Sequence, residues 1–352
     1  MPRRLLASVV AVLALVAAGC GGDEPSSAPV PPTATTPTPA TGAQARIRVG
    51  LVIGSGRSED SSLDSVAREG LERAQNELGV DGRVLTSRTN TGYRRNLTAL
   101  ARQDYDLVIA VGRHRSAALA AVAARFPDAR FAIVDASQAE LKGSPGNVRG
   151  LLFREQEAGY LAGYLAGLVT QQESGSKQVI GSVGGRKIPA VDRYIAGFQA
   201  GAKAANPEIT TLNAYAQDFV DQARCKEIAL DQIARSARVI FQVAGACGLG
   251  ALAAAGEKNV RGIGVDMDQR YLGDHMLTSA VKRADVVVFQ TVQALQDQSF
   301  QGGEDIVFDV ASGGVGLGEV AADVPAELVS RVNRIQDEIA AGEIVGIPET
   351  VG

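Results

Sequence analysis

The stretch Arg46-Ile47-Arg48-Val49-Gly50-Leu51-Val52-Ile53 decides the fold. From Val49 onward it is apolar without alternation, the pattern of a strand buried on both faces. Leu63, Val66, Ala67, Leu71, Ala74 and Leu78 follow at helical spacing, and Gly79 stands where a helix C-cap is expected. A doubly buried strand feeding an amphipathic helix is one βα unit of a parallel sheet. The unit recurs downstream. Residues 83–86 read as a short strand and 96–102 as helix. Residues 107–111 (LVIAV) are a strand, with a helix to Arg125 that stops at Phe126-Pro127, and 130–134 (RFAIV) are another strand.

A second series begins at the extended segment 147–153. Helices are expected at 156–169, 190–205, 221–235, 284–297 and 325–341. Strands are expected at 178–183, 209–214, 238–243, 260–265 and 276–280. The segment after Val243 (AGACGLG) reads as a glycine-rich turn. Two α/β series without a low-complexity linker imply two lobes, crossed by several strands, with a cleft between them. In open α/β sheets ligands sit at the carboxyl ends of the strands, so the loops there are the candidate site.

Outward from this body the composition changes. Residues 21–45 are rich in Pro, Thr, Ser and Ala, with Val30 the one large apolar side chain, and should stay an extended, disordered tether. Before it, Arg3 and Arg4 precede an apolar stretch of about 14 residues, short of the roughly 20 that span a bilayer. The order charged, apolar, small is that of a secretory leader over residues 1–19. Val16-Ala17-Ala18-Gly19-Cys20 resembles the bacterial lipobox, in which the Cys thiol is lipidated before cleavage ahead of it. An ordinary leader with an incidental Cys20 is the alternative. The expectation is an anchor at Cys20 on the extracytoplasmic face of the cell membrane.

The chain carries 35 Lys+Arg against 39 Asp+Glu, and loss of Arg3 and Arg4 with the leader makes it more acidic. With no basic run or aromatic–basic interleaving, nucleic acid is not the expected partner. Beyond Cys20 only Cys225 and Cys247 remain. Two cysteines alone do not make a zinc site. In an exported compartment a Cys225–Cys247 bridge is preferred to two free thiols.

The strand-end loops carry polar residues without a catalytic pattern. Residues 54–62 (GSGRSEDSS) lack the G-x-G-x-x-G spacing, and Asp60 or Ser61 also suits a helix N-cap. There is no P-loop and no G-x-S-x-G elbow. The two histidines, His114 and His275, belong to no cluster with metal-ligand spacing. Asp135, Asp266 and Lys282 around glycine turns suit binding of a polyol as well as acid–base chemistry. No cofactor and no metal are expected.

Several of these segments, taken in order, carry a resemblance. They are residues 184–189 (GGRKIP) with Arg193-Tyr194 and 197–201 (GFQAG), residues 105–109, residues 131–135, and Phe153 with residues 157–163. Residues 239–242, residues 263–269 (IGVDMDQ), Thr278-Ser279 with Lys282-Arg283, and residues 313–317 complete the set. Together they resemble the basic membrane protein family of lipoprotein substrate-binding components of ABC transporters, typified by the purine nucleoside receptor. The resemblance covers nearly the whole body from Arg46.

The resemblance implies a type I periplasmic-binding fold, α/β, with two Rossmann-like lobes, three crossovers and a central ligand cleft. Lobe one is placed at 46–153 plus 279–303, and lobe two at 154–278 plus 304–352. The implied ligand is a nucleoside. Asp60 and Asp135 match the acids that contact the base, Phe219 the stacking ring, and Gly245 a source of backbone contacts. Asp266 matches the acid on the ribose hydroxyls and Lys282 the sugar donor. The first loop departs from the pattern: Leu63 replaces a second stacking aromatic, and Glu59-Asp60 replaces Asn-Asp. The base is then gripped by one ring and one aliphatic face, and the choice among adenosine, guanosine, inosine and a non-purine stays open. Cys225 and Cys247 fall beside the implied cleft, where a bridge would brace its wall; redox gating is the weaker alternative. The implied partners are an ABC permease and ATPase, with the chain a monomer and not an enzyme. Two competing classes are a lipoprotein that senses ligand and signals through a partner, and an exported hydrolase or transferase acting on sugars or nucleosides.

Overall fold

The computed structural model describes residues 46–54, 61–173 and 178–352. The Cys20, Glu59 and Asp60 expectations lie outside the described residues. The first half runs β1 (Arg48–Gly54), α1 (Ser61–Leu78), β2 (Asp81–Ser87), α2 (Asn90–Arg102), β3 (Leu107–Val111), α3 (Ser116–Ala123), β4 (Phe131–Val134) and β5 (Val148–Phe153). It continues with α4 (Glu155–Glu173), β6 (Val179–Gly184), α5 (Pro189–Ala205), β7 (Thr210–Tyr215), α6 (Gln222–Ala234), β8 (Ala237–Val243) and α7 (Gly245–Glu257). The last elements are β9 (Arg261–Asp266), β10 (Met276–Lys282), α8 (Ala284–Gln296), β11 (Asp305–Phe308), β12 (Val315–Leu317) and α9 (Ala326–Ala340).

These strands form two sheets with matching order, β11-β5-β4-β3-β1-β2 and β12-β10-β9-β8-β6-β7. All pairings in the first are parallel; in the second only β10–β12 is antiparallel. The chain crosses between sheets after β5, after β10 and after β11, which gives the three crossovers of a type I periplasmic-binding fold. The second and third crossings come later than the 278/279 and 303/304 boundaries read from sequence. The cause is strand pairing: Lys282 is still in ladder with Val315 of β12, and Asp305–Phe308 is in register with Gly150–Phe153 of β5.

Alternation within the apolar runs sorts side chains to two faces. Leu51, Ile109 and Val134 join a core shared with Val239, Phe241 and Ile263 of the second sheet. Val52, Val108 and Ile133 point the other way, onto Tyr93, Leu97 and Leu100 of α2. Ile240 likewise faces Cys225, Ala229 and Cys247 of α6 and α7. Burial on both faces is why these strands show no polar alternation.

The glycines of α4 and α5 explain how the two helices approach. A Cβ on Gly163 would overlap the Phe198 carbonyl oxygen and lie 2.8 Å from the Phe198 Cα. Gly197 and Gly201 meet the Gln156 and Tyr160 backbones in the same way from the α5 side. The two backbones are therefore in direct contact along this seam, and α5, which carries Arg193 and Tyr194, is held in place.

Candidate functional site

A cavity of about 450 Å³ opens at the carboxyl ends of both sheets. Each wall segment follows a strand: Arg113 and His114 after β3, Asp135–Ser137 after β4, Glu155 after β5, Phe219 after β7. Gly245 opens α7 after β8, Asp266 ends β9 and Lys282 ends β10. The cavity size is that of a small-molecule site.

Lys282 is the electrostatic centre. It is 4% exposed, and its Nζ lies 2.7 Å from Asp135 Oδ1 and 3.1 Å from Glu155 Oε1. Burial would lower the ammonium pKa, but the charges of Asp135, Glu155 and Asp266 more than offset this and raise it well above the ordinary lysine range. Glu155 is itself 1% exposed and accepts from Arg193 Nε at 2.7 Å through its other oxygen. The buried Lys282 ammonium and the half-buried Arg193 guanidinium thus share one buried carboxylate. The Lys282 ammonium also stands 5.2 Å from the Phe153 ring centre, within cation–π range.

Asp135 and Asp266 occupy equivalent strand positions in the two sheets, and both adopt left-handed backbone, with φ of 66° and 65°. Asp tolerates this region better than most residues. Such strain, about 1–3 kcal/mol each, persists where the surroundings over-determine it, and it gathers at ligand clamps. The Asp266 turn is fixed by amide side chains. Gln269 Oε1 accepts from Val265 N and from Gln242 Nε2, and Gln242 Oε1 in turn accepts from Ala244 N. One network therefore sets both the Asp266 turn and the start of α7. Gly245 there has φ of 57°, which favours glycine.

Phe219 is half-buried, its ring packed over Gly185, and the Arg186 guanidinium lies 5.8 Å from the ring centre. Cys247 N donates to the Phe219 carbonyl at 2.9 Å, and Cys247 is disulfide-bonded to Cys225. The bridge ties α6 to the first turn of α7 behind this wall.

Of the residues singled out in the sequence, Asp135, Phe219, Gly245, Asp266 and Lys282 lie together on the cavity wall. Leu63 does not: it is 3% exposed and packed in the shared core, because the helical period of α1 turns it inward. Glu155, Arg193 and Tyr194 were missed as site residues: Glu155 opens a helix directly after β5, while Arg193 and Tyr194 lie in the second turn of α5, where their place in a quoted motif was the available signal. Among the described residues, no group of three His, Cys, Asp or Glu could hold a metal ion, and no helix is long and apolar enough to cross a membrane.

Two parallel-dominated α/β sheets with three crossings, and a charged cavity at their strand ends, define a solute-binding protein of the type I periplasmic class. Residues 47–349 match the family model Bmp, described as "ABC transporter substrate-binding protein PnrA-like", and the chain belongs to that family. The "CD4+ T-cell-stimulating antigen" of Listeria monocytogenes is 32% identical, over 86% of this chain and 88% of that one. The "ABC transporter nucleoside-binding protein BmpA" of Lactococcus lactis is 29% identical, over 85% and 88%. An ABC transporter solute-binding protein from Aeropyrum pernix superposes with a TM-score of 0.70 at 25% identity, covering 86% of this chain and 94% of that one.

Proposed function

We propose that this chain captures a nucleoside, with a purine as the favoured base, between its two lobes and delivers it to an ABC permease and its ATPase without catalysing a reaction. It acts as a monomer, held at the extracytoplasmic face of the membrane by acylation of Cys20. Two or more acyl chains would give stable anchoring where one would be marginal.

The observation that carries this reading is the buried Lys282, tied to Asp135 and Glu155 on a cavity wall that also presents Asp266 and the Phe219 ring. A carboxylate such as Asp266 accepts from two vicinal hydroxyls with charge-assisted bonds, as ribose requires. Lys282 donates to the sugar, Asp135 together with Asp60 contacts the base, Phe219 stacks on it, and Gly245 offers its backbone. Stacking on a single ring tolerates several bases. The name borne by the Lactococcus relative supports the same ligand class.

Thermal-shift titration against nucleosides, nucleobases and sugars tests the reading. A nucleoside at about 100 times its Kd should stabilise the protein by about 2.7 kcal/mol, be recovered unchanged, and lose its effect in Asp266→Ala. A flat response to every nucleoside, with a shift from another solute, would discard the ligand assignment and keep the fold.

A further inference from the structure

Tyr194 sits on α5, 2% exposed, and forms part of the cavity wall. Its hydroxyl has no hydrogen-bond partner among the described residues. Buried polar groups in folded proteins are nearly always paired, so an unpaired one asks for an explanation. The ring has its own contacts: Phe241 packs edge-on at 6.1 Å between ring centres, and the Lys282 ammonium is 5.7 Å from the ring centre. A phenylalanine would keep both. The hydroxyl is thus surplus to packing, on a residue of the same cavity wall as Lys282 and Asp266. Burial first, and then the negative charge of Asp266, hold the phenol well above the ordinary tyrosine range, so it stays protonated and able to donate.

We infer that the Tyr194 hydroxyl is a specificity-determining donor to an oxygen at the sugar end of the ligand, favouring ribosides that carry that oxygen over their deoxy analogues. The inference rests on the nucleoside reading above. A site built to hydrogen-bond a ligand hydroxyl rejects the analogue lacking it, because the protein group is then left unpaired. The neighbourhood makes the sugar end the natural partner, since Lys282 and Asp266 are the groups assigned to it.

The test is calorimetric titration of the full chain and of Tyr194→Phe with one bound riboside and its 2′-, 3′- and 5′-deoxy forms. The variant should bind the riboside about tenfold more weakly. For one deoxy form, variant and wild type should bind alike, because the partner oxygen is already gone. No loss with the riboside, or an equal loss with all three deoxy forms, would overturn the inference. A second readout needs no ligand: the variant should melt at or above the wild-type temperature, since it removes an unpaired buried hydroxyl, and a lower melting temperature would show that the hydroxyl is structural. If the wild type binds only a non-nucleoside polyol, the nucleoside reading falls. The role of Tyr194 is then judged by the same comparison with that polyol and its deoxy forms.

Discussion

Replacing Lys282 with methionine tests the electrostatic centre directly. The substitution keeps most of the stem and removes the ammonium that lies 2.7 Å from Asp135 and 3.1 Å from Glu155. Removing one partner of a buried pair costs about 3–5 kcal/mol, because the other charge is stranded. Two features place this case near the lower limit. Glu155 keeps its bond to Arg193 at 2.7 Å, and the Asp135 side chain, 20% exposed, has access to water. We expect a loss of about 3 kcal/mol at pH 7. With an unfolding entropy of about 2.1 cal/mol/K per residue over roughly 300 residues, that is a fall in Tm of about 5 °C. The pH dependence fixes the cause. In the wild type the raised Lys282 pKa contributes stability that is fully present below the ordinary lysine value and lost only as pH climbs through the folded one. In Lys282→Met that contribution is absent, so the deficit should hold steady around neutral pH and shrink as pH climbs above the ordinary lysine value. Urea denaturation of both proteins at several pH values measures this. A variant within 1 kcal/mol of wild type at pH 7, with a difference flat in pH, would refute the reasoning.

Other expectations can be checked alongside. Phe219→Ala should weaken nucleoside binding by about 1–3 kcal/mol, the stacking contribution, in a titration; unchanged affinity would place the base elsewhere. Reduction of the Cys225–Cys247 bridge, which spans a sequence separation of 22, should lower stability by about 3 kcal/mol on the loop-entropy estimate, seen as a displaced urea midpoint with and without reductant. Gly163→Ala should cost at least the 1–3 kcal/mol typical of overpacking, because the obstruction at Phe198 is backbone and cannot swing aside. A stable Gly163→Ala protein would mean that α4 and α5 can separate freely.

The parts of the fold legible in the sequence are those whose burial is decided locally. β1 from Val49 onward, β3 and β4 are covered on both faces, so their runs are free of polar residues. β11 and β12 were missed because they are short and defined by distant partners; in β11 only Phe308 is fully buried. The first turns of α7 read as a glycine-rich turn, yet Gly250 lies in that helix because it lets α7 approach the Gln222 backbone of α6. Glycine spacing reports close approach and turning alike, and a sequence does not separate the two. At the site, Asp135, Asp266 and Lys282 were legible from their strand ends together with the family motifs. Glu155 was not, because a glutamate opening a helix looks like any helix start until a buried cation is found against it. Leu63 went wrong through the motif match, while the period of its own helix already pointed it inward.

The return of the chain to the first sheet has a consequence for assembly. β5 has no outer neighbour until β11 is available, and β10 has none until β12 is. Arg149 reaches Glu304 across 155 residues to seal the first of these edges. Neither half can therefore complete itself from its own contiguous stretch of chain, and both are finished by the last sixth of the polypeptide. Pairings of such long range form slowly. A chain wired in this way stays open until nearly all of it has emerged, which suits a polypeptide that must be threaded through a translocation channel before it folds, as the proposed leader would require.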